Sequence, residues 1–454
     1  MSSNLHNERE IMMDQHDVII AGAGFTGLTA GLALARAGCR VMILEKDSTP
    51  GGLAGSFEFR NGVRAEKFYH YWYNNDAYVH ALVKEVGMEE HLVTMPSRTG
   101  MFYGGQFWQL TTPLDLLRFS PLSFVDRLRL GLLVFKARRV KEWKSIEHLS
   151  IREWLKPLCG PEVYKVVWEP LIRSKFSIYA DEIGAAWFWK KLVLRGGTRD
   201  KKGGEQLAYF KGGFGRLADA LADEIQKAGG AIHYDCPITG VRVDNEQVKV
   251  VTTPYGAVMG RQFLFTTSFP VIAGIFDGKA DEKWLRQLRR VRYLGNICLV
   301  LQLDRKLSNI FWLNVNDPDF PFVGVIEHTN FDGPENYAGS HIVYLSRYLS
   351  TQDPIWTCSD DAYLDLAFKH LERMYPGIDR SWIRDYKVWR ADYAQPVTER
   401  NYSGYVPGRR TPYDNAWIST MAHVYPEDRG TNYSIREGYA VADIIAKDLN
   451  RQEL

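Results

Sequence analysis

The sequence predicts an α/β fold in which a mainly parallel, helix-covered sheet is interleaved with a second region of mixed sheet and helices. Three observations predict it. An apolar run near the N-terminus leads through a glycine-rich loop into a helical pattern and a second apolar run. Another glycine-rich turn, at residues 212–215, opens a further helix–strand pair. The stretches between and after these units mix long helical patterns with alternating, strand-like ones.

Length and composition are those of a globular protein with two or three domains. The 454 residues are 45% hydrophobic and 24% charged, and chains of this size divide into units of roughly 100–200 residues. The 56 basic residues nearly balance the 54 acidic ones. The overall charge therefore gives no indication of a nucleic-acid partner.

The cysteines and the hydropathy pattern predict a cytoplasmic protein without a metal centre. The five cysteines are odd in number, widely spaced and without a CxxC pair, which disfavours disulfides and zinc or iron–sulfur ligation. No apolar stretch reaches the ~18–20 residues that a membrane span needs. Residues 1–15 are polar and are predicted to form a flexible leader.

The first apolar run and its loop predict a βαβ unit of the Rossmann type. A strand is expected over 18–21, a helix over 28–37 and a second strand over 41–44. The loop between the first strand and the helix reads Gly22-Ala23-Gly24-Phe25-Thr26-Gly27. A strand before this pattern and a helix after it are the context in which it binds a dinucleotide.

Each glycine of this fingerprint has a physical role. Gly22 permits the tight turn, Gly24 lets the backbone approach a pyrophosphate, and Gly27 lets the helix pack on the strand. The helix N-terminus supplies free N–H groups and a positive dipole end. Glu45, which ends the second strand, can accept hydrogen bonds from a ribose diol and disfavours NADP.

A second glycine-rich loop follows directly. It reads Pro50-Gly51-Gly52-Leu53-Ala54-Gly55. The alternating residues 57–63 contain Asn61-Gly62, which predicts a β-hairpin with a type I′ turn. Further along, residues 76–206 are predicted to be largely helical, and 241–266 to form antiparallel strands. The expected late elements are strands at 297–303, 321–327, 342–345 and 416–419 and helices at 216–228, 361–374 and 433–449.

Together these motifs resemble the superfamily of FAD-dependent amine oxidases, phytoene desaturases and protoporphyrinogen oxidases. The resemblance implies a Rossmann-type FAD-binding domain interleaved with a mixed-sheet and helical substrate domain, in the layout of p-hydroxybenzoate hydroxylase. The expected segments are 16–75, 207–268 and 415–454 for the FAD-binding domain, and 76–206 and 269–414 for the substrate domain.

The resemblance also implies a non-covalently bound FAD. The two glycine loops would hold the pyrophosphate and run along the flavin, and the acid after the second strand would bind the adenosine ribose. The closing loop would lie at the ribityl chain, with the last helix aimed at flavin O2. No cysteine follows Cys358, so a cysteinyl flavin near the C-terminus is excluded. The implied cofactor-binding residues are Gly22, Ala23, Gly24, Phe25, Thr26, Gly27, Glu45, Lys46, Gly51, Gly52, Leu53, Ala54, Ile238, Asp428, Arg429, Gly430, Thr431 and Asn432.

Several positions depart from the usual residues of that superfamily. Leu53 stands where an arginine often follows the double glycine, and Glu66 replaces an aspartate after the hairpin. Leu299 stands where many amine oxidases place a lysine near flavin N5, which weakens the case for a simple oxygen-using amine oxidase. The usual Ala-Gly-Asp before the closing loop is missing, and Asp428 is expected to act in place of its aspartate.

Aromatic clusters are expected to line the substrate site. One is Tyr69-His70-Tyr71-Trp72-Tyr73, and another comprises Tyr386, Trp389, Tyr393 and Tyr402. Aromatic walls suit a hydrophobic or aromatic small molecule, whereas core packing is the alternative for any single ring. The candidate catalytic residues are His70, Tyr393 and Tyr433, with His328 and His423 as further groups able to exchange a proton.

Residues 110–144 interleave basic and apolar side chains. Such a segment offers a surface for peripheral contact with the anionic inner face of a membrane, or with a lipid-like substrate. A solvated helix face is the plainer interpretation.

Three functions remain open. The main hypothesis is an FAD-dependent oxidoreductase that transfers hydride from a C–C or C–N bond of a hydrophobic or polycyclic substrate to flavin N5. One alternative is a redox-neutral mutase or isomerase resembling UDP-galactopyranose mutase, with Arg173, Arg347 and Arg429 on a nucleotide diphosphate. Another is a non-catalytic module that binds lipids or prenylated proteins, as the Rab escort proteins of the same fold do.

Overall fold

A computed structural model describes residues 15–195 and 206–452 of the chain. Nearly all of the predicted leader, and the glycine pairs at 196–197 and 203–204, lie outside the described residues. The strands are β1 (His16–Ala21), β2 (Val41–Leu44), β3 (Ser56–Glu58), β4 (Arg64–Glu66), β5 (Trp72–Tyr73), β6 (Leu92–Pro96), β7 (Thr99–Tyr103), β8 (Gln106–Gln109), β9 (Gln206–Phe210), β10 (Ala231–His233), β11 (Gly240–Asp244), β12 (Gln247–Thr253), β13 (Gly256–Phe265), β14 (Tyr293–Leu303), β15 (Trp312–Val315), β16 (Gly324–Glu327), β17 (His341–Leu349), β18 (Ile383–Pro396) and β19 (Ala416–Ile418).

In the described part of the chain, six consecutive α-helices lie between β8 and β9, and the others are distributed along the rest of the chain. The α-helices are α1 (Phe25–Arg36), α2 (Ala77–Glu85), α3 (Pro113–Arg118), α4 (Phe124–Ala137), α5 (Ile151–Cys159), α6 (Pro161–Val163), α7 (Glu169–Phe176), α8 (Ala185–Arg195), α9 (Phe214–Lys227), α10 (Phe269–Ile275), α11 (Glu282–Arg290), α12 (Pro354–Thr357), α13 (Asp360–Met374) and α14 (Thr431–Gln452). Among the described residues, none of these helices is long and apolar enough to cross a bilayer.

The first sheet has a parallel centre built from three separate stretches of the chain. Strands β10, β2, β1, β13 and β19 run parallel in that order, and β12 and β11 extend β13 as an antiparallel meander. Val18 pairs with Val41 on one side and with Gln262 on the other. The apolar runs of β1 and β2 are buried because helices cover both faces of the sheet. This architecture confirms the predicted α/β fold class.

Side-chain alternation divides the core of this sheet into two layers. Ile20 and Ile43 point into one cluster with α1, α9 and α14, whereas Ile19 and Met42 point into another with α10 and α11. Helices α1 and α14 approach most closely at Gly438, where a Cβ atom would lie only 2.7 Å from the Thr26 carbonyl oxygen.

The second sheet carries the remaining long strands. Its order is β18-β14-β17-β16-β15-β7-β8, antiparallel except between β15 and β7. The prediction of a largely helical region is wrong for residues 92–109, which form β6, β7 and β8. Gly104 and Gly105 both have positive φ and form the tight turn between β7 and β8. Strand β7 also pairs with β15, which joins this hairpin to the edge of the sheet. Helices α4 to α8 pack together beside this sheet in one apolar core that includes Trp154.

The hairpin after the second glycine loop forms as predicted, but the prediction of a type I′ turn is wrong. Strands β3 and β4 pair antiparallel. A type I′ turn needs positive φ at both central residues. Gly62 has a φ of +79°, but the φ of Asn61 is not positive, so the turn is of another type. The Gly62 N–H bonds to the Phe59 carbonyl instead, at 2.9 Å. The six-segment domain division stays a prediction.

The contact at Gly438 yields a stability prediction. Gly438→Ala should lower the free energy of unfolding by about 1–3 kcal/mol, because the added methyl meets backbone on α1 and overpacking forces the helices apart. Urea unfolding followed by circular dichroism measures it. Gly274→Ala in α10 is the matched control, since a Cβ there meets nothing within 4 Å. Equal stability of the two variants would contradict the close contact.

Candidate functional site

The two glycine-rich loops are joined by backbone contacts. The Gly51 N–H donates to the Ala23 carbonyl at 2.8 Å, and Gly24 and Gly51 form a parallel bridge. Gly51 and Gly52 have φ of +106° and +57°, values that favour glycine. A Cβ on Gly52 would lie 3.3 Å from the Gly24 Cα. The two loops therefore form one continuous piece of backbone structure.

An open cradle lies where these loops meet the N-terminus of α1. Gly24 caps the helix without a side-chain hydrogen bond, and the first turn carries no acid. A Cβ on Gly24 would meet nothing within 4 Å, whereas one on Gly27 would lie 2.0 Å from the Gly22 carbonyl oxygen. Gly27 is thus required by helix packing, and Gly24 leaves room for an anionic group at the helix N-terminus.

The Glu45 carboxylate is hydrogen-bonded to the backbone of the first glycine loop. Its side chain is 5% exposed, and the N–H groups of Ala23 and Asp47 donate to its two carboxylate oxygens at 2.6 and 2.9 Å. Burial raises the pKa of Glu45, and these two amides partly offset that effect. The Cys236 N–H donates to the Glu45 carbonyl at 2.7 Å, which brings the loop containing Ile238 beside Glu45.

A cavity of about 340 Å³ lies next to these loops. One wall comes from the second sheet, another from helices α7 and α8, and the rest from the loops after the hairpin and before α14. It is lined by Leu53, Phe68, Tyr69, His70, Tyr71, Trp72, Tyr73, Asp76, Ser97, Thr99, Trp168, Leu171, Ile172, Ser174, Lys175, Phe176, Trp187, Phe188, Lys191, Leu192, Leu194, Leu207, Asn296, Trp312, Asn314, Val323, Gly324, Tyr348, Ala394, Asp428, Arg429, Gly430, Thr431, Asn432 and Tyr433.

The first predicted aromatic cluster does line this cavity. Tyr69 and Tyr71 pack edge-on against Trp312, with ring centroids 4.9 and 5.4 Å apart. Trp72 donates its indole N–H to Thr431 Oγ1 at 2.5 Å, which ties the cluster to the start of α14. Asn432 accepts the Tyr78 N–H at 3.1 Å at the start of α2. The loops thus share one rigid, mostly apolar lining.

The second predicted cluster is elsewhere. Tyr393 is 37% exposed and packs against Tyr293, and it is not among the lining residues, although its neighbour Ala394 is. Trp389 packs on Phe57 instead. Strand alternation alone does not predict these directions, because the β14–β18 ladder shifts register between residues 294 and 296. Of the three candidate catalytic residues, His70 and Tyr433 line the cavity and Tyr393 does not.

His70 is a neutral imidazole at the cavity wall. Its Nδ1–H donates to the Phe68 carbonyl at 2.7 Å, so Nε2 carries the lone pair. Burial lowers the pKa of His70 to about 4. The buried His328 and the half-buried His423 lie outside the cavity lining, and desolvation lowers their pKa values to about 3 and about 4.

Residue Leu299 does not occupy the position expected from the resemblance. It is fully buried among the residues that pack under α13, on the face of β14 away from the cavity. Asn296 is the residue of β14 that lines the cavity, and its amide N–H donates to Ser346 Oγ at 3.0 Å. Because side chains alternate along a strand, an odd separation of three residues places Leu299 on the opposite face.

Two lysines that the sequence did not suggest converge on Asp428. Lys175 and Lys191 donate to Asp428 Oδ2 at 2.6 and 3.0 Å, and the Trp187 indole N–H donates to Oδ1 at 3.1 Å. Burial opposes ionisation of Asp428, but the two lysines outweigh it and hold its pKa far below the usual range. Burial lowers the pKa of Lys175 to about 7. Asp428 thus faces helices α7 and α8, although a role at the ribityl chain was expected.

Arg429 lies beside this cluster. Its guanidinium donates to Gln395 Oε1 at 3.1 Å and to the Tyr348 hydroxyl at 2.8 Å. Of the three arginines that the sequence offered to a nucleotide diphosphate, only Arg429 lines the cavity. Arg173 pairs with Glu169 and Asp181.

Glu66 is a buried carboxyl group beneath the cavity lining. It is 2% exposed, and its Oε1 accepts the Phe214 N–H at 2.9 Å and the Tyr209 hydroxyl at 3.2 Å. Its Oε2 has no hydrogen-bond partner among the described residues. Burial raises the pKa of Glu66 to about 8, so the group holds its proton at neutral pH.

The fold and the joined glycine loops define an α/β protein of the dinucleotide-binding class. The chain belongs to the flavin-containing amine oxidoreductases, whose family model matches residues 25–426. It is therefore a flavin-dependent oxidoreductase, as the sequence predicted. Within residues 15–195 and 206–452, no group of three or more His, Cys, Asp or Glu side chains could hold a metal ion.

Relatives and solved structures agree with this assignment. The 15-cis-phytoene desaturase of Glycine max is 26% identical over 429 residues, which cover 89% of this chain and 74% of the desaturase. A putative protoporphyrinogen oxidase from Exiguobacterium sp. 255-15 superposes with a TM-score of 0.75 at 15% identity and covers 96% of this chain and 100% of its own. A reduced UDP-galactopyranose mutase gives 0.72 at 14% identity, with 96% and 94% covered. These two structures show the shared fold alone.

The environment of Glu66 yields a pH prediction. As pH rises through 4.5 the unfolded chain loses this proton, whereas the folded chain keeps it up to about 8, so Glu66 lowers stability across that window. Glu66→Gln stays neutral and should raise the melting temperature relative to the parent protein more at pH 8 than at pH 5. Glu58→Gln, an exposed change on the same hairpin, is the control. An equal difference in melting temperature between variant and parent at both pH values would contradict this prediction.

Proposed function

We propose that the protein binds FAD non-covalently across the joined glycine loops and uses it to oxidise a hydrophobic substrate. The observation that carries this proposal is the cradle at Gly24, where two loops and a helix N-terminus leave backbone open beside the cavity. The residues present fit the cofactor. No cysteine of the chain lines the cavity, which supports non-covalent binding.

Residues of three stretches would hold the cofactor. The loop 22–27 would take the pyrophosphate at the N-terminus of α1, with Glu45 beside the adenosine ribose and the Ile238 backbone at the adenine. Residues 51–54 would run along the flavin, since Leu53 reaches the cavity. Residues 430–432 would face it from the start of α14, which also lines the cavity.

Bound FAD would supply a hydride acceptor at its N5 atom, and the substrate would be oxidised at a C–C or C–N bond. The chain's own residues would position that substrate. Tyr69, Tyr71 and Trp312 would hold an apolar or aromatic body and exclude water. The Nε2 lone pair of His70 could accept a hydrogen bond from an N–H or O–H group of the substrate.

The cradle yields a direct test of cofactor binding. Purified protein should show bands near ~370 and ~450 nm and release free FAD on denaturation. Gly24→Ala should weaken FAD binding at least about tenfold, or about 1.4 kcal/mol, yet leave the apoprotein's melting temperature unchanged, because the added methyl meets no protein atom within 4 Å.

Gly408→Ala is the matched control, since a Cβ there also meets nothing within 4 Å. A colourless protein that refuses added FAD would contradict the proposal and favour the non-catalytic binding module instead.

Helices α3 and α4 support a further part of the proposal, peripheral binding to the anionic inner face of a membrane. Seven of their large apolar side chains are about half exposed or more, up to 65% for Phe135. They are Leu114, Leu117, Phe124, Val125, Leu128, Leu132 and Phe135. Exposed basic residues flank them at Arg118, Arg138, Arg139, Lys141 and Lys144. Apolar side chains ringed by positive charge suit the interface of an anionic bilayer.

Vesicle sedimentation tests this surface. The protein should sediment with vesicles of mixed phosphatidylglycerol and phosphatidylcholine more than with phosphatidylcholine alone. The double change Phe124→Asp with Phe135→Asp should abolish sedimentation, because it places charge where acyl chains would lie. Tyr255→Asp, an exposed aromatic on the meander of the first sheet, is the control. Sedimentation that the double change leaves intact would rule out this face.

A further inference from the structure

Asp76 brings a carboxylate into the cavity lining at the start of α2. It stands at the N-cap position, where an aspartate side chain usually accepts a backbone N–H of its own helix, but among the described residues it makes no such bond. Asn432 of α14 caps the helix instead, because its Oδ1 accepts the N–H groups of Tyr78 and Val79 at 3.1 and 3.2 Å. The Asp76 carboxylate is therefore not required to start α2.

This carboxylate is nearly buried with little compensation for its charge. Asp76 is 9% exposed, and its Oδ2 accepts the Tyr73 N–H at 2.9 Å. Within residues 15–195 and 206–452, no lysine, arginine or histidine pairs with it. Burial raises the pKa of Asp76 to about 6, so the group is still ionised at neutral pH. A buried anion without a cation is costly to keep, and such groups are found mainly at functional sites.

The carboxylate shares its part of the cavity with the first turn of α14. Residues 431–433 also line the cavity. The Trp72 indole N–H donates to Thr431 Oγ1, which fixes the segment before α2 against α14. Burial raises the pKa of Tyr433, and the charge of Asp76 adds to that effect. Asp76 thus lies within electrostatic reach of the start of α14.

We propose that Asp76 lowers the reduction potential of the flavin bound beside it. This inference rests on the proposed function, in which residues 430–432 face the flavin from the start of α14. Hydride transfer breaks a C–H bond of the substrate and gives the flavin two electrons and one proton, so the flavin gains one negative charge. A carboxylate in the same enclosed space repels that charge and makes reduction less favourable. Asp76 therefore makes the flavin a weaker oxidant and favours substrates that are good hydride donors.

Reduction potentials of the flavin-loaded protein test this inference. Parent protein and Asp76→Asn are reduced slowly with xanthine and xanthine oxidase beside a reference dye, and the absorbance of flavin and dye is followed. Asparagine keeps the size of the side chain and can still accept the Tyr73 N–H, but it carries no charge. At pH 8 the equilibrium constant for flavin reduction should be at least about tenfold larger in the variant, which is about 30 mV for a two-electron couple.

The pH dependence separates charge from shape. Asp76 takes up a proton as the pH falls through about 6, so at pH 5 the parent protein is mostly neutral at this position, as the variant is at every pH. The difference in potential that is present at pH 8 should therefore largely disappear at pH 5. A change in shape alone would persist at both pH values.

The other ionisable groups near the carboxylate do not disturb this comparison. Tyr73 and Tyr433 lie beside it, and close to Tyr433 the Arg436 guanidinium pairs with Glu427 at 3.3 Å. Elsewhere in the lining, burial lowers the pKa of Lys175 to about 7. Parent and variant share all of these groups, so their titration cancels in the difference between the two proteins.

Two further variants complete the design. Asp76→Ser is a second neutral variant, which should raise the potential in the same direction and carries the test if Asp76→Asn does not fold. Glu89→Gln is the matched control, because Glu89 is exposed, follows the same helix and does not line the cavity. It removes the same charge and should leave the potential unchanged.

The outcomes separate this inference from the proposed function. Equal potentials in flavin-loaded parent and neutral variants would overturn the role of Asp76 and leave the flavin proposal standing. The same holds for a shift of equal size at pH 5 and pH 8, or an equal shift in Glu89→Gln. Protein that takes up no flavin would overturn both proposals.

Discussion

The structure depends on a short piece of backbone pairing, in which the Gly51 amide bonds to the Ala23 carbonyl and Gly24 lies against Gly51. This pairing needs glycine in the second loop, because Gly51 and Gly52 have positive φ and a side chain on Gly52 would press on Gly24. It keeps the N-terminus of α1 open and directs Leu53 to the cavity. Glu45 strengthens the same loop by accepting the Ala23 N–H.

The two ends of the cavity differ in the source of their positive potential. Near the glycine loops, backbone amides and a helix dipole offer partial positive charge without any cationic side chain in the first turn of α1. At the far end, Lys175 and Lys191 donate to the Asp428 carboxylate, and Arg429 lies beside them. Aromatic side chains such as Tyr69, Tyr71 and Trp312 line the space between them. The helix dipole thus acts near the glycine loops, and the charged side chains act at the other end of the same cavity.

Local patterns allowed the βαβ unit, its glycines and Glu45 to be predicted, because spacing within a few residues specifies them. Lys175, Lys191, Trp187 and Asn296 were missed, since they meet Asp428 or the cavity only through tertiary packing. Tyr393 lies outside the cavity lining and Leu299 faces away from it, because a register shift and strand alternation decide which face a side chain occupies. The strands β6 and β7 were missed for a similar reason, because their partners β9 and β15 lie more than 100 residues further along the chain.

The parallel centre of the first sheet has a consequence for how the chain acquires its structure during synthesis. Ile20 pairs with Leu264, and α1 is covered by Gly438 near the opposite end of the chain. Contacts of such long sequence separation form slowly, because a large loop must close before they do. While the ribosome is still at work, β1 has an unpaired edge and α1 an uncovered apolar face. The emerging protein therefore exposes aggregation-prone surface until its last helix has been made.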